Sequence, residues 1–219
     1  MSAAVVDLVA CDFAGVLTEP LPETFKRFAD RAGITVPQFV DAMREVTELS
    51  GLPGHDVISL GHWTEARWGG HLADALERRT GHRLDLSAFG ADWWFPGRAR
   101  NDEFLAYLAT LREEGVRLAM ITNNVKEWEP SWRAMIPETD ELFEIVTNSC
   151  EVGFVKPDVR IFDLTAERLG VSPERCVMVD DLAENGTGAS AAGWRAVQFT
   201  ETAEVIAQLD ALLGRPTAV

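Results

Sequence analysis

The sequence predicts an α/β fold in which a Rossmann-like core of parallel strands carries an inserted α-helical segment. Short apolar runs rich in β-branched residues alternate with apolar residues at helical spacing, as expected for βαβ units. This alternation is interrupted over residues 20–95, where helical spacing continues without a convincing buried strand. Polar side chains follow three of the predicted strands, which is where an open α/β sheet places its chemistry.

The first predicted strand covers residues 5–11 (VVDLVAC) and ends at Asp12, and a turn follows at Gly15. A carboxylate at the mouth of a buried strand, followed by a glycine turn, is typical of a functional group in such a sheet. Two residues after Asp12, Ala14 places a methyl group where a second acid could donate a proton. The strand end therefore predicts a site that has an attacking carboxylate but lacks the accompanying proton donor.

The segment after this strand predicts a helical cap. Apolar residues recur there at helical spacing over residues 25–32, 39–46 and 63–68, the last leading to 72–76. We expect glycine-containing turns to separate these stretches, including one at Gly69-Gly70. We predict a cap domain of residues 20–95 and a core domain of residues 1–19 and 96–219.

The alternation of strands and helices resumes near Pro96-Gly97 and continues to the end of the chain. A tryptophan-bearing helix is predicted between the second and third strands, and the last helix covers residues 205–213. The four further strands are predicted over residues 116–121, 143–147, 175–179 and 195–199.

Composition limits the classes of partner. The net charge of −15 argues against nucleic acid or an anionic membrane, because both need clustered positive charge. The three cysteines show no CxxC spacing and are expected to be buried apolar residues in a reducing compartment. The sequence shows no secretory signal pattern and no apolar run of membrane-spanning length, so we expect a cytoplasmic protein.

Polar groups at separate strand ends are expected to converge. Asp12 follows the first strand, Thr122-Asn123 the second, and Asp180-Asp181 the fourth. Since the carboxyl ends of parallel strands meet at one edge of the sheet, these groups can meet, and Lys156 can join them from a loop. Carboxylates suit Mg²⁺, while Lys and Thr can neutralise and hydrogen-bond phosphoryl oxygens. The pattern indicates a phosphoryl-transfer site.

Four motifs in order resemble the haloacid dehalogenase-like hydrolase superfamily. They are Asp-x-x-Gly-Val-Leu at residues 12–17, Thr-Asn at 122–123, Lys-Pro-Asp at 156–158 and Val-Asp-Asp-x-x-x-Asn at 179–185. Residues 149–153 and 191–194 are similar to members with a helical cap inserted after the first motif. That subgroup includes small-metabolite phosphatases and the phosphatase-like domain of bifunctional epoxide hydrolases.

The resemblance implies a nucleophile and a metal site. Asp12 would attack phosphorus, form an aspartyl-phosphate and also bind Mg²⁺. The backbone carbonyl of Ala14 would be a metal ligand whatever its side chain. Asp181 would bind Mg²⁺, and Asp180 would bind it or orient Lys156.

The resemblance also implies a phosphate site. Thr122 and the backbone of Asn123 would hold phosphoryl oxygens, and Lys156 would pair with both Asp12 and the phosphate. Asn185 would organise these groups from behind.

Ala14 departs from the family pattern, because phosphatases of this superfamily usually carry Asp there to protonate the leaving alkoxide. General acid–base help is worth about 10²–10⁴-fold in rate, so its loss should slow ester hydrolysis without abolishing metal or phosphate binding. Glu19 could supply the missing carboxyl, or the substrate could carry a good leaving group.

We therefore predict a Mg²⁺-dependent hydrolase of a small organic phosphate, a phosphorylated metabolite, acting as a monomer or homodimer. The alternative is a catalytically impaired phosphate-binding or regulatory protein. A phosphonate hydrolase would need a cap lysine, for which Lys26 is the candidate, and a dehalogenase would not need Asp180-Asp181.

Two features of the cap remain open at this level. His55 or His62 could contact substrate, although surface or capping roles are favoured for all four histidines. Aromatic residues at Trp63, Trp68 and the Trp93-Trp94-Phe95 junction favour packing, with an apolar or ring-bearing substrate as the alternative.

Overall fold

Five parallel strands form one sheet in the order β3-β2-β1-β4-β5 in a computed structural model that describes residues 6–94 and 98–215. β1 is central and pairs with β2 on one side and β4 on the other, so the carboxyl ends of these three strands are neighbours. The strands are β1 Leu8–Cys11, β2 Arg117–Thr122, β3 Ile145–Asn148, β4 Cys176–Asp180 and β5 Arg195–Gln198.

Every residue of β1 and β4 is buried, which explains why their sequences are continuous apolar runs and do not alternate. The predicted α/β class and its parallel sheet are confirmed. β2 to β5 shift by one or two residues at one or both ends from the predicted bounds, and β1 begins at Leu8, later than predicted. The predicted Val5 of the first strand, Phe95 and the Pro96-Gly97 junction lie outside the described residues.

Helices alone, with no strand, occupy the described part of the inserted segment. The predicted turn at Gly69-Gly70 is wrong, because both glycines lie within a continuous helix. The absent Cβ of Gly69 lets this helix approach the Leu86 carbonyl, where a methyl group would clash. The helices are α1 Leu21–Ala32, α2 Val36–Ser50, α3 Asp56–Ser59, α4 Glu65–Thr80 and α5 Phe89–Trp93.

Side chains at their N-termini fix where two of these helices begin. Thr35 and Gln38 form a reciprocal capping box at α2, and Thr64 accepts the Arg67 backbone N–H at α4. Each such cap contributes about 1 kcal/mol. The sequence encodes these boundaries locally, so the position at which each of the two helices begins does not depend on the distant core.

The remaining helices cover the sheet. Asn101 caps the first of them and Asp158 caps a later one, each by accepting a backbone N–H two or three residues on. No helix in residues 6–94 and 98–215 has the length and apolarity needed to cross a bilayer. The helices are α6 Asp102–Glu113, α7 Glu129–Met135, α8 Thr139–Leu142, α9 Ser149–Val152, α10 Val159–Leu169, α11 Ala183–Ala191 and α12 Thr202–Leu213.

One apolar cluster runs without a break from the sheet into the inserted segment. Phe13 after β1 packs against Trp94 and Trp132 with ring centroids 5.1 and 5.4 Å apart. Phe28 of α1 and Trp68 of α4 belong to the same cluster. The inserted helices therefore share one hydrophobic core with side chains on one face of the sheet.

Polar contacts also hold the inserted helices to the sheet. The Glu65 carboxylate accepts hydrogen bonds from the Trp128 indole at 2.7 Å and from the Gly90 backbone N–H. The Ser149 hydroxyl donates to the Ser59 carbonyl at 2.9 Å. These bonds fix the positions of α3 and α4 relative to the strand ends.

Candidate active site

The predicted strand-end groups lie together at the carboxyl edge of the sheet. Asp12 follows β1, Thr122 ends β2, and Asp180-Asp181 lie at and after the end of β4. Each of the three aspartates offers a carboxylate oxygen within 4.8 Å of the others. The convergence follows from the strand order, which places β1 between β2 and β4.

Lys156 lies between two of these carboxylates. Its Nζ is 2.8 Å from Asp12 Oδ1 and 2.6 Å from Asp180 Oδ2. Burial alone would lower the pKa of Lys156, but the charges of Asp12 and Asp180 outweigh it and raise that pKa. The lysine is 4% exposed, so this buried ammonium is held in its charged form by its two partners.

The side chain of Asn123 fixes the loop that carries Lys156. Its Oδ1 accepts the Lys156 backbone N–H at 2.8 Å, and its Nδ2 donates to the Lys156 carbonyl at 2.9 Å. The sequence suggested a use for the backbone of Asn123 but not this amide pairing. The signal is weak in sequence because the two residues are 33 positions apart.

Asp180 is oriented by its own neighbours. Its Oδ1 accepts the Leu182 backbone N–H at 3.0 Å and the Asn185 Nδ2 at 2.8 Å, leaving Oδ2 for Lys156. Asn185 thus fixes the carboxylate that in turn fixes the lysine. This geometry fits the organising role predicted for Asn185.

Asp181 approaches the backbone of the first motif. Gly15 has φ +79°, and a Cβ there would overlap the Asp181 carboxylate. The Oδ1 atom of Asp181 is buried and has no hydrogen-bond partner among the described residues. An orphaned carboxylate oxygen beside two other aspartates is the donor set that a hard divalent cation prefers.

The negative charge of the three carboxylates is only partly balanced by Lys156. Burial raises the pKa of Asp12 to about 7, and the pairing with Lys156 offsets only part of that rise. Burial, together with the neighbouring charge of Asp180, raises the pKa of Asp181 to about 6. Both shifts have the direction that a bound cation would reverse, so the residues present fit a divalent metal.

A cavity of about 150 Å³ lies above these groups. Its base is polar and comes from the strand ends, while the inserted helices contribute mainly aromatic and aliphatic side chains. The lining residues are Asp12, Ala14, Leu21, Phe25, Phe39, Met43, His55, Trp68, Phe89, Trp93, Trp94, Thr122, Asn123, Asn124, Trp128, Lys156, Asp181, Leu182 and Asn185.

Glu19 and Lys26, the two residues that the sequence offered as alternative catalytic groups, do not line this cavity. Glu19 pairs with Arg27 at 2.9 Å and accepts from the Thr24 hydroxyl at 3.4 Å, and it lines a different cavity. Its carboxyl therefore does not replace the acid absent at Ala14. Lys26 is exposed and does not line the cavity, so the cap lysine that a phosphonate hydrolase needs is not found at this position.

His55 is the histidine that reaches the cavity, whereas His62 is exposed. The His55 ring stacks against Trp128 with centroids 6.2 Å apart. Burial lowers the pKa of His55, which the charge of Asp56 partly counteracts. The cap thus contributes a neutral imidazole to the wall of the site.

A parallel α/β fold with three aspartates and a lysine at its carboxyl edge is suited to hold a divalent cation and a phosphoryl group. A model of the haloacid dehalogenase-like hydrolases matches residues 6–193 of the chain. The chain therefore belongs to the haloacid dehalogenase-like hydrolase family, which confirms the resemblance seen in its motifs.

Curated relatives differ in how much of their length the chain covers. Phosphatase MT3486 of Mycobacterium tuberculosis is 28% identical over 76% of this chain and 83% of its own length. Mouse acyl-CoA dehydrogenase family member 10 is 32% identical over 50% of this chain and 10% of its own. Rat bifunctional epoxide hydrolase 2 is 26% identical over 53% of this chain and 22% of its own. Against the last two, the chain matches a small part of a longer protein.

Solved structures establish the same fold. The Bacteroides thetaiotaomicron enzyme BT-2542, in complex with magnesium and inorganic phosphate, aligns with TM-score 0.64 and 18% identity over 89% of this chain and 94% of that one. L-2-haloacid dehalogenase from Xanthobacter autotrophicus aligns with TM-score 0.64 and 16% identity over 98% of this chain and 85% of that one.

Proposed function

We propose that this protein hydrolyses a small organic phosphate through Asp12, in a reaction that depends on Mg²⁺. The observation that carries the proposal is the Asp12 carboxylate, which lies in a cavity 2.8 Å from a buried ammonium and beside two further aspartates. A protein that only binds phosphate has no need of a carboxylate next to the bound anion. The name of the relative MT3486, a phosphatase, supports the same reaction class.

Each side chain has a distinct role in this proposal. Asp12 attacks phosphorus and becomes an aspartyl-phosphate, which water then hydrolyses. Lys156 neutralises the charge that Asp12 and the phosphoryl group bring together. Thr122 and the backbone of Asn123, which line the cavity, hydrogen-bond the phosphoryl oxygens. Asn185 keeps Asp180 and therefore Lys156 in place.

The metal would be held by Asp12, Asp181 and the Ala14 carbonyl, with Asp180 adjacent. Bound there, Mg²⁺ would neutralise the carboxylates and the phosphoryl oxygens during transfer. The orphaned Oδ1 of Asp181 is the observation in this chain that supports such a ligand. We also propose that residues 20–95 act as a cap domain over this site.

A phosphate-ester panel with and without Mg²⁺ tests the proposal. Metal-dependent phosphate release should disappear in Asp12→Asn, which keeps the shape of the side chain but removes its nucleophilic charge. Acetyl phosphate, an acyl phosphate whose leaving group needs no protonation, is tested beside the esters. Absence of turnover on every ester and on acetyl phosphate, with correctly folded protein, would overturn the assignment.

A catalytically impaired phosphate-binding protein is the second candidate, and Ala14 is the observation that favours it. The variant Ala14→Asp separates the two. If the wild type is an enzyme limited to good leaving groups, this change should extend turnover to alkyl esters by about 10²-fold or more. If the wild type is inert and only Ala14→Asp gains turnover, the natural protein is the binder.

A further inference from the structure

We propose that the substrate is an aryl phosphate, an ester in which phosphate is bonded to the oxygen of a phenolic ring. The inference rests on the proposed hydrolase function and names the substrate class of that same site. Two independent observations carry it: the apolar aromatic walls of the cavity, and the methyl group at Ala14 where a proton donor would stand.

The inserted helices surround the part of the cavity where the organic group of a substrate would lie. Among the described residues of segment 20–94 that line it, His55 alone carries an ionisable side chain, and the rest are apolar. Six of them are aromatic: Phe25, Phe39, Trp68, Phe89, Trp93 and Trp94.

Contacts between these rings make the wall rigid. Phe25 packs against Phe39 and Trp93 with centroids 5.6 and 5.2 Å apart, and Phe89 packs against Trp68 and Trp93 at 5.0 and 5.2 Å. Two of these four contacts are edge-to-face, one of the arrangements that aromatic rings prefer. The cavity is thus shaped before the ligand arrives and offers ring surfaces to another ring.

The apolar character of the cavity walls in the inserted helices disfavours strongly hydrophilic organic groups. A sugar would bury several hydroxyls against these walls, and each unpaired hydroxyl weakens binding by roughly 5- to 150-fold. A single aromatic ring avoids that loss.

The methyl side chain of Ala14 favours the same class of substrate by a separate argument, based on the leaving group. An aliphatic alcohol is about as weak an acid as water, so its alkoxide needs a proton donor as it departs. A phenol resembles the tyrosine side chain, with a pKa of about 10, so a phenolate can depart without one. A site that has lost its acid at Ala14 therefore still cleaves aryl esters.

The reaction balances without another reactant. An Asp12 oxygen forms the new bond to phosphorus while the aryl oxygen–phosphorus bond breaks, and its electron pair leaves on the phenolate. The phenolate takes a proton from solvent. Water then cleaves the aspartyl-phosphate, so that ester and water yield a phenol and inorganic phosphate, with Asp12 restored.

Binding of non-hydrolysable phosphonates tests recognition of the ring. With Mg²⁺ present, calorimetry on Asp12→Asn should show phenylphosphonate binding at least tenfold more tightly than methylphosphonate, because burying a ring of Phe size stabilises by that much or more. Equal affinity for the two phosphonates would overturn the inference.

Phe25 and Phe28 provide a matched pair of variants on one helix. Both contact Phe39 and Trp93, but Phe25 lines the cavity and Phe28 does not. Phe25→Leu should reduce the preference for phenylphosphonate severalfold, and Phe28→Leu should leave it unchanged. Equal effects from the two would show that the ring contact at Phe25 is not part of recognition.

Turnover of two phosphate esters and one acyl phosphate separates failure of this inference from failure of the proposed function. Wild-type kcat/KM should be highest for phenyl phosphate, lower for acetyl phosphate, which lacks a ring, and lowest for cyclohexyl phosphate, which lacks a good leaving group. Turnover of acetyl phosphate that depends on Asp12, with phenyl phosphate no better, would keep the hydrolase and reject the aryl substrate. Inertness towards all three would reject the hydrolase itself.

Discussion

Lys156 is the residue on which the electrostatics of the site depend. Its ammonium lies between Asp12 and Asp180, and all three groups are nearly removed from solvent. Removing one partner of a buried ion pair leaves the other charge buried without compensation, and this strongly lowers the free energy of unfolding. The loss exceeds the stability that the intact pair contributes over apolar side chains in its place. The lysine is therefore structural as well as a candidate for phosphate binding.

Lys156→Met should lower the free energy of unfolding by about 3 kcal/mol in metal-free buffer, because Asp12 and Asp180 are left buried against each other. Urea denaturation in the presence of EDTA measures this. Lys126→Met, at an exposed position, is the control and should change stability by about 0.5 kcal/mol or less. A loss at Lys156 no larger than at Lys126 would contradict this account of the ion pair.

Gly15→Ala should damage the site beyond its cost in backbone strain. Gly15 and Gly33 both have positive φ, at +79° and +67°, but a Cβ at Gly15 meets Asp181 whereas one at Gly33 meets open space. Each substitution should cost about 1–2 kcal/mol of stability from strain. Metal-dependent turnover should fall strongly in Gly15→Ala and persist in Gly33→Ala, and similar turnover in the two would show that the Asp181 approach is not required.

Sequence reasoning at this scale predicted Asp12, Lys156 and Asp181 as site residues because each stands in a short motif. It did not identify the amide pairing of Asn123 with the Lys156 backbone, since a side chain that bonds a distant loop leaves no local pattern. The direction of Glu19 was also unreadable, because it depends on Thr24 and Arg27 of the following helix.

At the scale of elements, the first residue of α4 forms polar contacts that join this helix to the core. Glu65 begins this helix, and its carboxylate bonds both the Gly90 backbone and the Trp128 indole. Burial raises the pKa of Glu65, and those two hydrogen bonds partly offset the rise. A charged group is thus held between the cap and the loop after β2.

Glu65→Ala should lower the free energy of unfolding by about 1–3 kcal/mol, because the Trp128 and Gly90 donors lose their acceptor. Chemical denaturation followed by tryptophan fluorescence measures the loss. In the background of Trp128→Phe, which lacks the indole donor, the same change should cost less. Strictly additive losses would show that the two side chains are not coupled.

Glu65→Gln tests the pH dependence of this contact. The pKa of Glu65 is raised in the folded state, so the folded protein binds this proton more tightly than the unfolded chain does. The free energy of unfolding of the wild type should therefore exceed that of Glu65→Gln by the most near or below the unfolded pKa of about 4.3. This difference in stability should fall as the pH rises. Denaturation series from pH 4 to 8 measure the difference, and a constant value would contradict the raised pKa.

The long elements were predictable because their periodicity is local, as in α1, α2 and the last helix, α12. The short helices α3 and α5 were not, since four or five residues carry too little periodicity to distinguish them from turns. At Gly69-Gly70 tertiary packing prevailed over turn propensity, because a close approach to Leu86 selected glycine inside a helix.

At the scale of the whole molecule, cap and core form one apolar cluster around the acidic site. Divalent metal should stabilise this arrangement, since three carboxylates converge in the folded protein and are separated in the unfolded chain. Mg²⁺ at about 100 times its dissociation constant should add about 2.7 kcal/mol and raise Tm by roughly 5–10 °C.

Thermal unfolding with MgCl₂, against NaCl of equal ionic strength, measures this stabilisation. Asp181→Asn should remove most of it, whereas Asp158→Asn, at an exposed ion pair with Arg160 on a helix N-cap, should retain it. An identical response to Mg²⁺ in the two variants would place the metal elsewhere.

The sequence by itself determined the α/β class, the helical insertion and the polar residues at the strand ends, because strand burial, helix periodicity and motif spacing are all written locally. Tertiary structure alone decided how those residues meet: the position of Lys156 between two carboxylates, the orphaned oxygen of Asp181 and the aromatic walls that the cap places above Asp12. These contacts join residues that are far apart in the chain, so they are set by how the elements pack and not by any local pattern.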